Sequence, residues 1–276
     1  MRNVARTFTK NGIRYFVPAN SYWAWRDGEN GRRAAAAGQS NWRELKERIF
    51  SYWTPDPAFT TFSSGAHIAA LRPHLRHRWF AVIDLQQFFE NVTRTKISRA
   101  LEDIGFSRSE AFRIAGESTI LQGSKHVLMR GFRQSSLLAC LALERSLFGS
   151  SLRRKQFAST ITIYCDDIVL SSDDRDTLGE EQSQIIEILT RSNFPVNPTK
   201  TQLPSRQIEI FNIKVSGPSL RFTDQRMWKF LELASAILER KGPKGRPWLY
   251  EKLFGGYIRS VNRLQEQRIR SSVDLG

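Results

Sequence analysis

The stretch Thr160-Ile161-Thr162-Ile163-Tyr164-Cys165-Asp166-Asp167-Ile168-Val169-Leu170-Ser171 decides the fold. β-Branched residues flank two adjacent aspartates, and this pattern predicts a strand, a tight turn and a second strand, with both aspartates at the hairpin tip. Two carboxylates held so close repel each other unless cations bind there or the pair faces water. Because carboxylate oxygens suit Mg²⁺, the pattern indicates a divalent metal site; an ordinary Asp-rich turn is the other interpretation.

A second acidic strand end lies upstream, within residues 78–92. An apolar strand ends there in Asp84, and the paired aromatics Phe88 and Phe89 follow it. A carboxylate at the end of a buried strand is costly without a charged partner, although Asp is also a favoured helix N-cap. Together, the strand-end acid and the acidic hairpin are what two-metal phosphoryl transfer requires, because bridging carboxylates hold the two ions.

The charge of the chain indicates a polyanionic partner. Its formal net charge is +15 over 276 residues, beyond the magnitude of roughly 2–8 that suffices for solubility. Residues 1–50 carry 10 Lys/Arg against 4 Asp/Glu and residues 201–276 carry 14 against 7, whereas residues 151–200 carry 6 against 8. Basic ends around an acidic middle suit a nucleic-acid backbone and a metal site, respectively.

Other classes of protein are disfavoured by composition. Cys140 and Cys165 form no CxxC pair and fall in elements predicted to be buried, so a zinc site or a disulfide framework is not expected. The four histidines show no metal-ligand spacing. Neither a signal peptide nor an apolar run of roughly 20 residues is present. We therefore expect a reduced cytoplasmic protein that does not contact membranes.

Hydrophobic spacing predicts helices over residues 41–52, 67–75, 97–104, 108–118, 135–150 and 177–192, and a basic helical tail over 224–267 that breaks at 241–247. Strands are predicted at the two acidic segments. The order strand, helix, strand hairpin, helix, strand is typical of a split βαββαβ arrangement.

On these residues the chain resembles the reverse transcriptases, in the form found in bacteria. Tyr164-Cys165-Asp166-Asp167 resembles the family's Tyr-x-Asp-Asp box, and residues 84–89 resemble its Asp-x-x-x-Phe-Phe motif. Weaker similarities occur in the family's order: a fingers hairpin, an Asn-x-x-Lys-Thr loop, a primer-grip hairpin and a thumb segment, at residues 10–18, 194–201, 209–217 and 253–259.

Two segments depart from the bacterial pattern. The usual Leu-Pro-Gln-Gly-x-x-x-Ser-Pro motif keeps only the Leu, the Gly and the Ser within residues 128–139, whereas a register shifted by four aligns Arg133-Gln134-Ser135 with the Arg-Gln-Gly of other lineages. Both registers stay open. The retron-type Asn-Ala-x-x-His motif keeps only its histidine, His74. A retron enzyme and another defence-associated or abortive-infection reverse transcriptase are both compatible with these residues.

The resemblance implies an α/β (α+β) fold: a right-hand polymerase with a split βαββαβ palm, fingers and a short helical thumb. The implied boundaries are 1–78 for the N-terminal part of the fingers, 79–220 for the palm with a helical fingers insertion near 95–125, and 221–276 for the thumb.

The resemblance also assigns roles to residues. Asp84, Asp166 and Asp167 would be catalytic and would hold two Mg²⁺, or Mn²⁺ as a substitute, with the Leu85 carbonyl completing one shell. The implied nucleotide-binding residues are Arg14, Phe89, Gly131, Gln134 and Lys200, among which Phe89 would exclude a 2′-hydroxyl. The implied nucleic-acid-binding residues are Tyr164, Lys229, Arg240, Lys241, Lys244 and Arg246.

The implied activity is RNA-directed DNA polymerisation from dNTPs. The template would be a dedicated non-coding RNA of a retron or another phage-defence system, the product DNA, and a protein effector is a possible partner. Two alternatives remain open: an RNA-directed RNA polymerase or template-independent nucleotidyl transferase on the same palm, and an RNA-binding scaffold that has lost catalysis. Phe89 favours deoxynucleotides, and the presence of all three acids argues against the scaffold.

Overall fold

The computed structural model describes residues 6–10, 13–17, 23–26, 35–36, 42–122, 124–128, 130, 133–241 and 257–274. The chain divides into two compact units, each built from three separate segments. The first unit is Met1–Phe59, Leu85–Phe157 and Ile185–Asn197, and the second is Thr60–Asp84, Ala158–Gln184 and Pro198–Gly276. The predicted subdomain boundaries at residues 78 and 220 stay a prediction.

Strands and helices alternate along most of the described chain. The strands are β1 (Arg6–Lys10), β2 (Ile13–Val17), β3 (Trp23–Arg26), β4 (Ala35–Ala36), β5 (Trp79–Asp84), β6 (Thr119–Gln122), β7 (Lys125–Leu128), β8 (Thr160–Tyr164), β9 (Asp167–Ser172), β10 (Gln202–Ser205), β11 (Ile208–Ile210), β12 (Ile213–Ser216) and β13 (Ser219–Phe222). The helices are α1 (Trp42–Tyr52), α2 (Ala66–Leu71), α3 (Arg94–Asp103), α4 (Arg108–Ser118), α5 (Ser135–Glu144), α6 (Leu147–Arg153), α7 (Arg175–Arg191), α8 (Asp224–Lys241), α9 (Arg259–Val261) and α10 (Arg263–Asp274). Short 3₁₀ turns lie at Thr60–Phe62 and Arg72–Arg76.

The central sheet of the second unit confirms the predicted βαββαβ order. Its strands run β10-β5-β9-β8, and every neighbouring pair is antiparallel. The first and third strands therefore lie in the middle, and the second and fourth lie at the edges. This is the arrangement expected when two βαβ halves share one sheet. The ends of β5 and β9 that carry the acids meet at the same edge of this sheet.

A continuous apolar core holds the second unit together. It buries Phe80 and Val82, which alternate along β5, together with residues of the small sheet β11-β12-β13. Helix α8 contributes its apolar face through Phe230 and Ala234, and α10 contributes Ile269. The tail helices are thus part of this core, because their apolar stripes are what β11-β12-β13 buries.

A buried histidine fastens the 3₁₀ turn Arg72–Arg76 to the sheet. His74 is fully buried. Its Nδ1 lies 2.7 Å from the Ser171 hydroxyl and its Nε2 lies 2.7 Å from the Thr162 hydroxyl. Burial, helped by the nearby His77 and Arg76, lowers the pKa of His74 to about 3. The ring is therefore neutral in the folded protein at ordinary pH.

The first unit contains the sheet β1-β2-β3-β4, the packed helices α3, α4 and α5, and the hairpin β6-β7. Ser107 is the N-cap of α4, because its side chain accepts a hydrogen bond from the Glu110 amide. The hairpin β6-β7 was not predicted. Its strands have four residues each and include polar side chains, so they show too little alternation to be recognised.

The helix predicted over 135–150 is wrong in one respect, because the chain forms two helices there. Helix α5 ends at Glu144, and Ser146 begins α6 as its N-cap. The backbone approaches itself closely at this break. A Cβ added at Gly149 would lie 1.9 Å from the Glu144 carbonyl oxygen, so the turn requires glycine at this position.

None of the described helices is long and apolar enough to cross a bilayer.

Candidate active site

The acidic hairpin forms as predicted, with one correction. Tyr164 pairs with Asp167 across β8 and β9, so the two-residue tip consists of Cys165 and Asp166. Asp167 is the first residue of β9, and the prediction that both aspartates lie at the tip is wrong. The reason is backbone geometry: Cys165 adopts a left-handed φ of 55°, which closes the turn one residue earlier.

Two threonines of the 3₁₀ turn Thr60–Phe62 hold this hairpin. The Cys165 amide donates to the Thr61 hydroxyl at 2.9 Å, and the Thr60 hydroxyl donates to the Ile163 carbonyl at 3.0 Å. Cys165 is partly exposed, contrary to the prediction that both cysteines lie in buried elements. A left-handed non-glycine residue is costly, and the hydrogen bond to Thr61 helps to stabilise it.

Four of the predicted site residues in the second unit form one row across the sheet. Asp84 pairs with Asp167 between β5 and β9, and Asp167 pairs with Tyr164 between β9 and β8. On the other side, the pairing of Gln202 with Val82 places Lys200, two residues earlier, opposite Asp84. The row therefore consists of Lys200, Asp84, Asp167 and Tyr164, in that order. Each of the last three comes from one strand of the sheet, and Lys200 comes from the segment just before β10.

The charges in this row are unbalanced. Like charges directly opposite each other on adjacent strands are destabilising, and Asp84 is only 6% exposed. Lys200 donates to Asp84 Oδ2 at 3.2 Å and offsets one of the charges. The pKa of Asp167 is raised to about 7, mainly by burial and then by the charges of Asp166 and Asp84, against the opposing effect of Lys200.

The donor set fits a divalent cation. Carboxylate oxygens are the ligands that Mg²⁺ prefers, and the neighbouring charges of Asp166 and Asp84 help to raise the pKa of Asp167. The side chains that the structure describes do not gather three acidic, histidine or cysteine groups around one point. The Lys200 ammonium lies 3.2 Å from Asp84 Oδ2, so one of the acids is paired with a cationic side chain. Leu85 is 2% exposed, and the predicted role of its carbonyl stays a prediction.

An aromatic cluster surrounds Tyr164, and sequence analysis did not find it. The His67 ring lies 6.0 Å from Tyr164, 5.4 Å from Phe211 and 5.4 Å from Tyr257. Tyr164 and Phe211 also meet edge to face at 5.4 Å, and the His67 ring lies 2.8 Å from the Tyr257 hydroxyl. Phe211 reaches this position from the tight turn between β11 and β12, where its φ is 56°.

The two phenylalanines after Asp84 have different surroundings. Phe88 is fully buried and its ring lies 6.1 Å from Phe194, so it belongs to the core. Phe89 is partly exposed. The Arg130 guanidinium lies 5.8 Å from the Phe89 ring and pairs with Glu90 at 3.2 Å. An exposed ring with a cation beside it is available for a ligand.

The structure describes the remaining predicted nucleotide-binding residues to different extents. Gln134 is 2% exposed and donates to the Ser118 hydroxyl at 3.5 Å, while its carbonyl oxygen has no hydrogen-bond partner in the described chain. Arg14 lies in β2, in a hairpin whose register pairs it with Thr9, but its side chain is outside the described part. Gly131 is outside the described residues.

The predicted nucleic-acid-binding residues of the tail fall on and after α8. Lys229 is exposed, beside Trp228, which is 67% exposed. Arg240 and Lys241 are the last two residues of α8. Lys244 and Arg246 lie outside the described residues. Exposed lysine and tryptophan side by side suit a backbone contact and a stacking contact, and these assignments stay predictions.

Comparison with known proteins finds similarities in sequence and in structure. A stretch of the Gag-Pol polyprotein of Walleye dermal sarcoma virus is 31% identical over 141 residues, which is 51% of this chain and 7% of that polyprotein. A foamy viral protease-reverse transcriptase solved with an RNA/DNA hybrid has a TM-score of 0.48 at 14% identity, covering 90% of this chain and 32% of that one. Telomerase from Candida albicans, solved with a TWJ fragment of telomeric RNA, has a TM-score of 0.47 at 13% identity, covering 84% and 43%.

This chain spans less than half of each of these relatives. The model of the family described as reverse transcriptase (RNA-dependent DNA polymerase) matches residues 34–231, which is well over half of the chain and includes the whole row from Lys200 to Tyr164. The chain therefore belongs to the reverse transcriptase family.

Proposed function

We propose that this chain is an RNA-directed DNA polymerase that extends a primer with dNTPs by two-metal phosphoryl transfer. The observation that carries the proposal is the row across the central sheet. Asp84 and Asp167 are direct cross-strand partners, Asp166 is next to them at the hairpin tip, and Lys200 neutralises only one charge. Outside a cation site, such a concentration of carboxylates would only destabilise the sheet.

In this proposal Asp84, Asp166 and Asp167 hold the cations, with the Leu85 carbonyl as a further ligand. Two bound Mg²⁺ would promote ionisation of the primer hydroxyl and neutralise charge on the transferred phosphoryl group. Lys200, paired with Asp84 in the structure, would turn to the phosphates of the incoming nucleotide when cations neutralise that aspartate. Its side chain is 67% exposed, so this movement requires no unpacking.

Nucleotide selection is proposed to rest on Phe89 and on the segments around it. The partly exposed ring would pack against C2′ of the sugar and leave no room for a hydroxyl. Arg14 would contact the triphosphate, because a guanidinium fork suits phosphate oxygens. Gly131 and Gln134 would contact the incoming nucleotide, and the buried Gln134 amide, with one unsatisfied oxygen, would have to rotate to do so.

The product duplex is proposed to contact Tyr164 near the primer end and the basic tail further away. The tail residues are Lys229, Arg240, Lys241, Lys244 and Arg246. An A-form duplex presents phosphates and 2′-hydroxyls in a wide, shallow groove, so recognition there follows shape and charge rather than base sequence.

We further propose a bacterial origin, in a retron or another phage-defence system with a dedicated non-coding RNA as template and a protein effector as partner. The support is sequence resemblance: residues 84–89 have the bacterial form of their motif, and Val215-Ser216-Gly217 is close to the Val-Thr-Gly of retron enzymes. Sequencing the nucleic acid that co-purifies with the protein tests this part. A defined RNA joined to DNA is expected, and a random RNA population would contradict it.

Primer extension tests the polymerase itself. The purified chain is given a primed RNA template, labelled dNTPs and Mg²⁺, and is compared with Asp166→Asn and with the control Asp173→Asn, whose side chain is 64% exposed beyond the end of β9. We expect Asp166→Asn to lower kcat by about 10³ or more, because it removes a cation ligand used in the transition state. The control should match wild type.

Three results would overturn the proposal. Equal incorporation by wild type and Asp166→Asn, with RNA bound by both, would place the chemistry elsewhere. Incorporation of rNTPs in preference to dNTPs would make the chain an RNA polymerase. Tight RNA binding with no incorporation, under Mg²⁺ or Mn²⁺, would leave an RNA-binding scaffold.

A further inference from the structure

Helices α3 and α4 of the first unit enclose a groove that none of the proposed roles uses. Its volume is about 820 Å³, within the range of roughly 300–1,000 Å³ typical of ligand pockets. The apolar faces of the two helices pack inward, burying residues such as Ile97 and Leu101 on α3. The groove is formed by the opposite, polar faces.

The groove is strongly cationic. Arg94 and Arg99 of α3 and Arg108 of α4 line it, against a single carboxylate, Glu102. Glu102 accepts a hydrogen bond from the Ser98 hydroxyl at 3.0 Å and so is directed along its own helix. The three guanidinium groups therefore face the groove with at most one acid to balance them.

Two neighbouring arginines outside the groove are paired, whereas in the described part of the chain these three are not. Arg48 contacts Glu110 at 2.8 Å, and Arg113 contacts Glu117 at 3.0 Å. Within the described chain, none of the three groove arginines has a carboxylate within ion-pair distance. Unpaired guanidinium groups are the preferred partners of phosphate, since their fork can bind two of its oxygens.

An exposed aromatic ring completes the groove. Phe112 of α4 is 55% exposed although it is a large apolar residue. The Arg94 guanidinium lies 4.8 Å from its ring centroid. A half-exposed ring beside arginines suits stacking of a base whose phosphates the arginines hold.

We propose that this groove binds unpaired RNA, with phosphates on Arg94, Arg99 and Arg108 and one base stacked on Phe112. Only an unpaired base offers a free face for such stacking. An acidic peptide would use the arginines but would leave the exposed ring without a purpose. The inference deepens the proposed function, because it assigns a site for single-stranded RNA outside the primer duplex.

Binding of single-stranded RNA tests the site directly. Anisotropy of a labelled unstructured oligoribonucleotide is measured against salt for wild type, Phe112→Ala and the double variant Arg99→Gln/Arg108→Gln. Arg113→Gln, on the same helix but outside the groove, is the control. All substituted side chains are exposed, so thermal melting should remain near that of wild type in every variant.

We expect Phe112→Ala to weaken binding about 5- to 150-fold, which corresponds to the roughly 1–3 kcal/mol of one stacked base. The double variant should reduce the slope of log K against log salt by about 1.4, because each lost phosphate contact on a single strand contributes roughly 0.7. The control should change neither quantity. Binding by both groove variants that equals the control would overturn the proposal.

Two further measurements separate this site from its alternatives. The first is primer extension on a template that has no unpaired bases beyond the templating position. Its rate should be the same in the groove variants and in the control. If the wild-type chain is inactive in that assay, the proposed polymerase activity is contradicted, and the RNA-binding result is judged by itself. Polyglutamate is tested as a competitor at the same charge concentration as the RNA. If it displaces the RNA equally well from wild type and from Phe112→Ala, the groove binds an acidic protein and the RNA assignment is overturned.

Discussion

The buried His74 should make folding stability depend on pH in a defined window. Its pKa is about 3 in the folded protein, against about 6.5 for an unperturbed histidine. Above pH 6.5 the ring is neutral in both states, so it contributes no pH dependence. As the pH falls below about 6.5, His74 becomes protonated in the unfolded chain but not in the folded one, so the free energy of unfolding decreases. The decrease ends at about pH 3, where His74 is protonated in both states.

The magnitude follows from the size of the window. Each pH unit below the unfolded pKa costs about 1.4 kcal/mol, so at about pH 5 the loss from this one residue is about 2 kcal/mol. That is a large fraction of the roughly 5–15 kcal/mol of a typical domain. The residue is fully buried and hydrogen-bonded on both nitrogens, so solvent does not relieve the cost.

Urea denaturation at about pH 7.5 and about pH 5 measures this effect. His74→Gln removes the titrating group and keeps a donor and an acceptor, so it should be less stable at the higher pH but should lose about 2 kcal/mol less on acidification. His126→Gln is the control, because it removes a histidine of β7 without touching the Ser171 or Thr162 hydroxyl. Equal acid losses in wild type and His74→Gln would refute the reasoning.

Three other perturbations have defined outcomes. Phe89→Ala should raise rNTP use relative to dNTP use about 10- to 200-fold in kcat/KM, whereas Phe88→Ala should mainly destabilise the fold, by about 3–5 kcal/mol on urea denaturation; unchanged selectivity in Phe89→Ala would assign that ring to packing. Lys200→Met should raise the apparent KM for dNTP and leave RNA affinity unchanged, and an unaffected KM would confine the lysine to its pairing with Asp84. RNA affinity of the whole chain should fall steeply between about 50 and 200 mM salt, because both ends are cationic. An affinity that does not change with salt would show that the cationic ends do not bind the RNA phosphates.

Local pattern was sufficient for the parts of the site that lie within single elements. The acids at the end of β5 and in the β8-β9 hairpin were identified from the alternation around them, and the tight turn before β12 was expected from its resemblance to the primer grip. The exact turn was not predictable, because Cys165 at the tip depends on a hydrogen bond to Thr61, which lies 104 residues away in sequence.

Contacts between distant segments account for what the sequence did not reveal. The aromatic cluster joins His67 to Tyr257, 190 residues apart, and no periodicity within either segment indicates that they meet. The break in the helix predicted over 135–150 results from a backbone approach at Gly149, which hydrophobic spacing cannot report. In both cases tertiary packing determined the outcome, as it commonly does for features without a local signal.

The row of lysine, aspartates and tyrosine has a consequence for how this chain tolerates changes in length. Its members are aligned by ladder pairing, and side chains on a strand alternate between the two faces. One residue inserted within β5 would therefore turn Asp84 away from Asp167 and from Lys200 at once. The segment between Asp84 and β8 takes no part in that ladder, and lengthening a loop costs little. Length variants should thus survive in the loops between elements and fail in the strands of this sheet, because the strands alone set the register of the row.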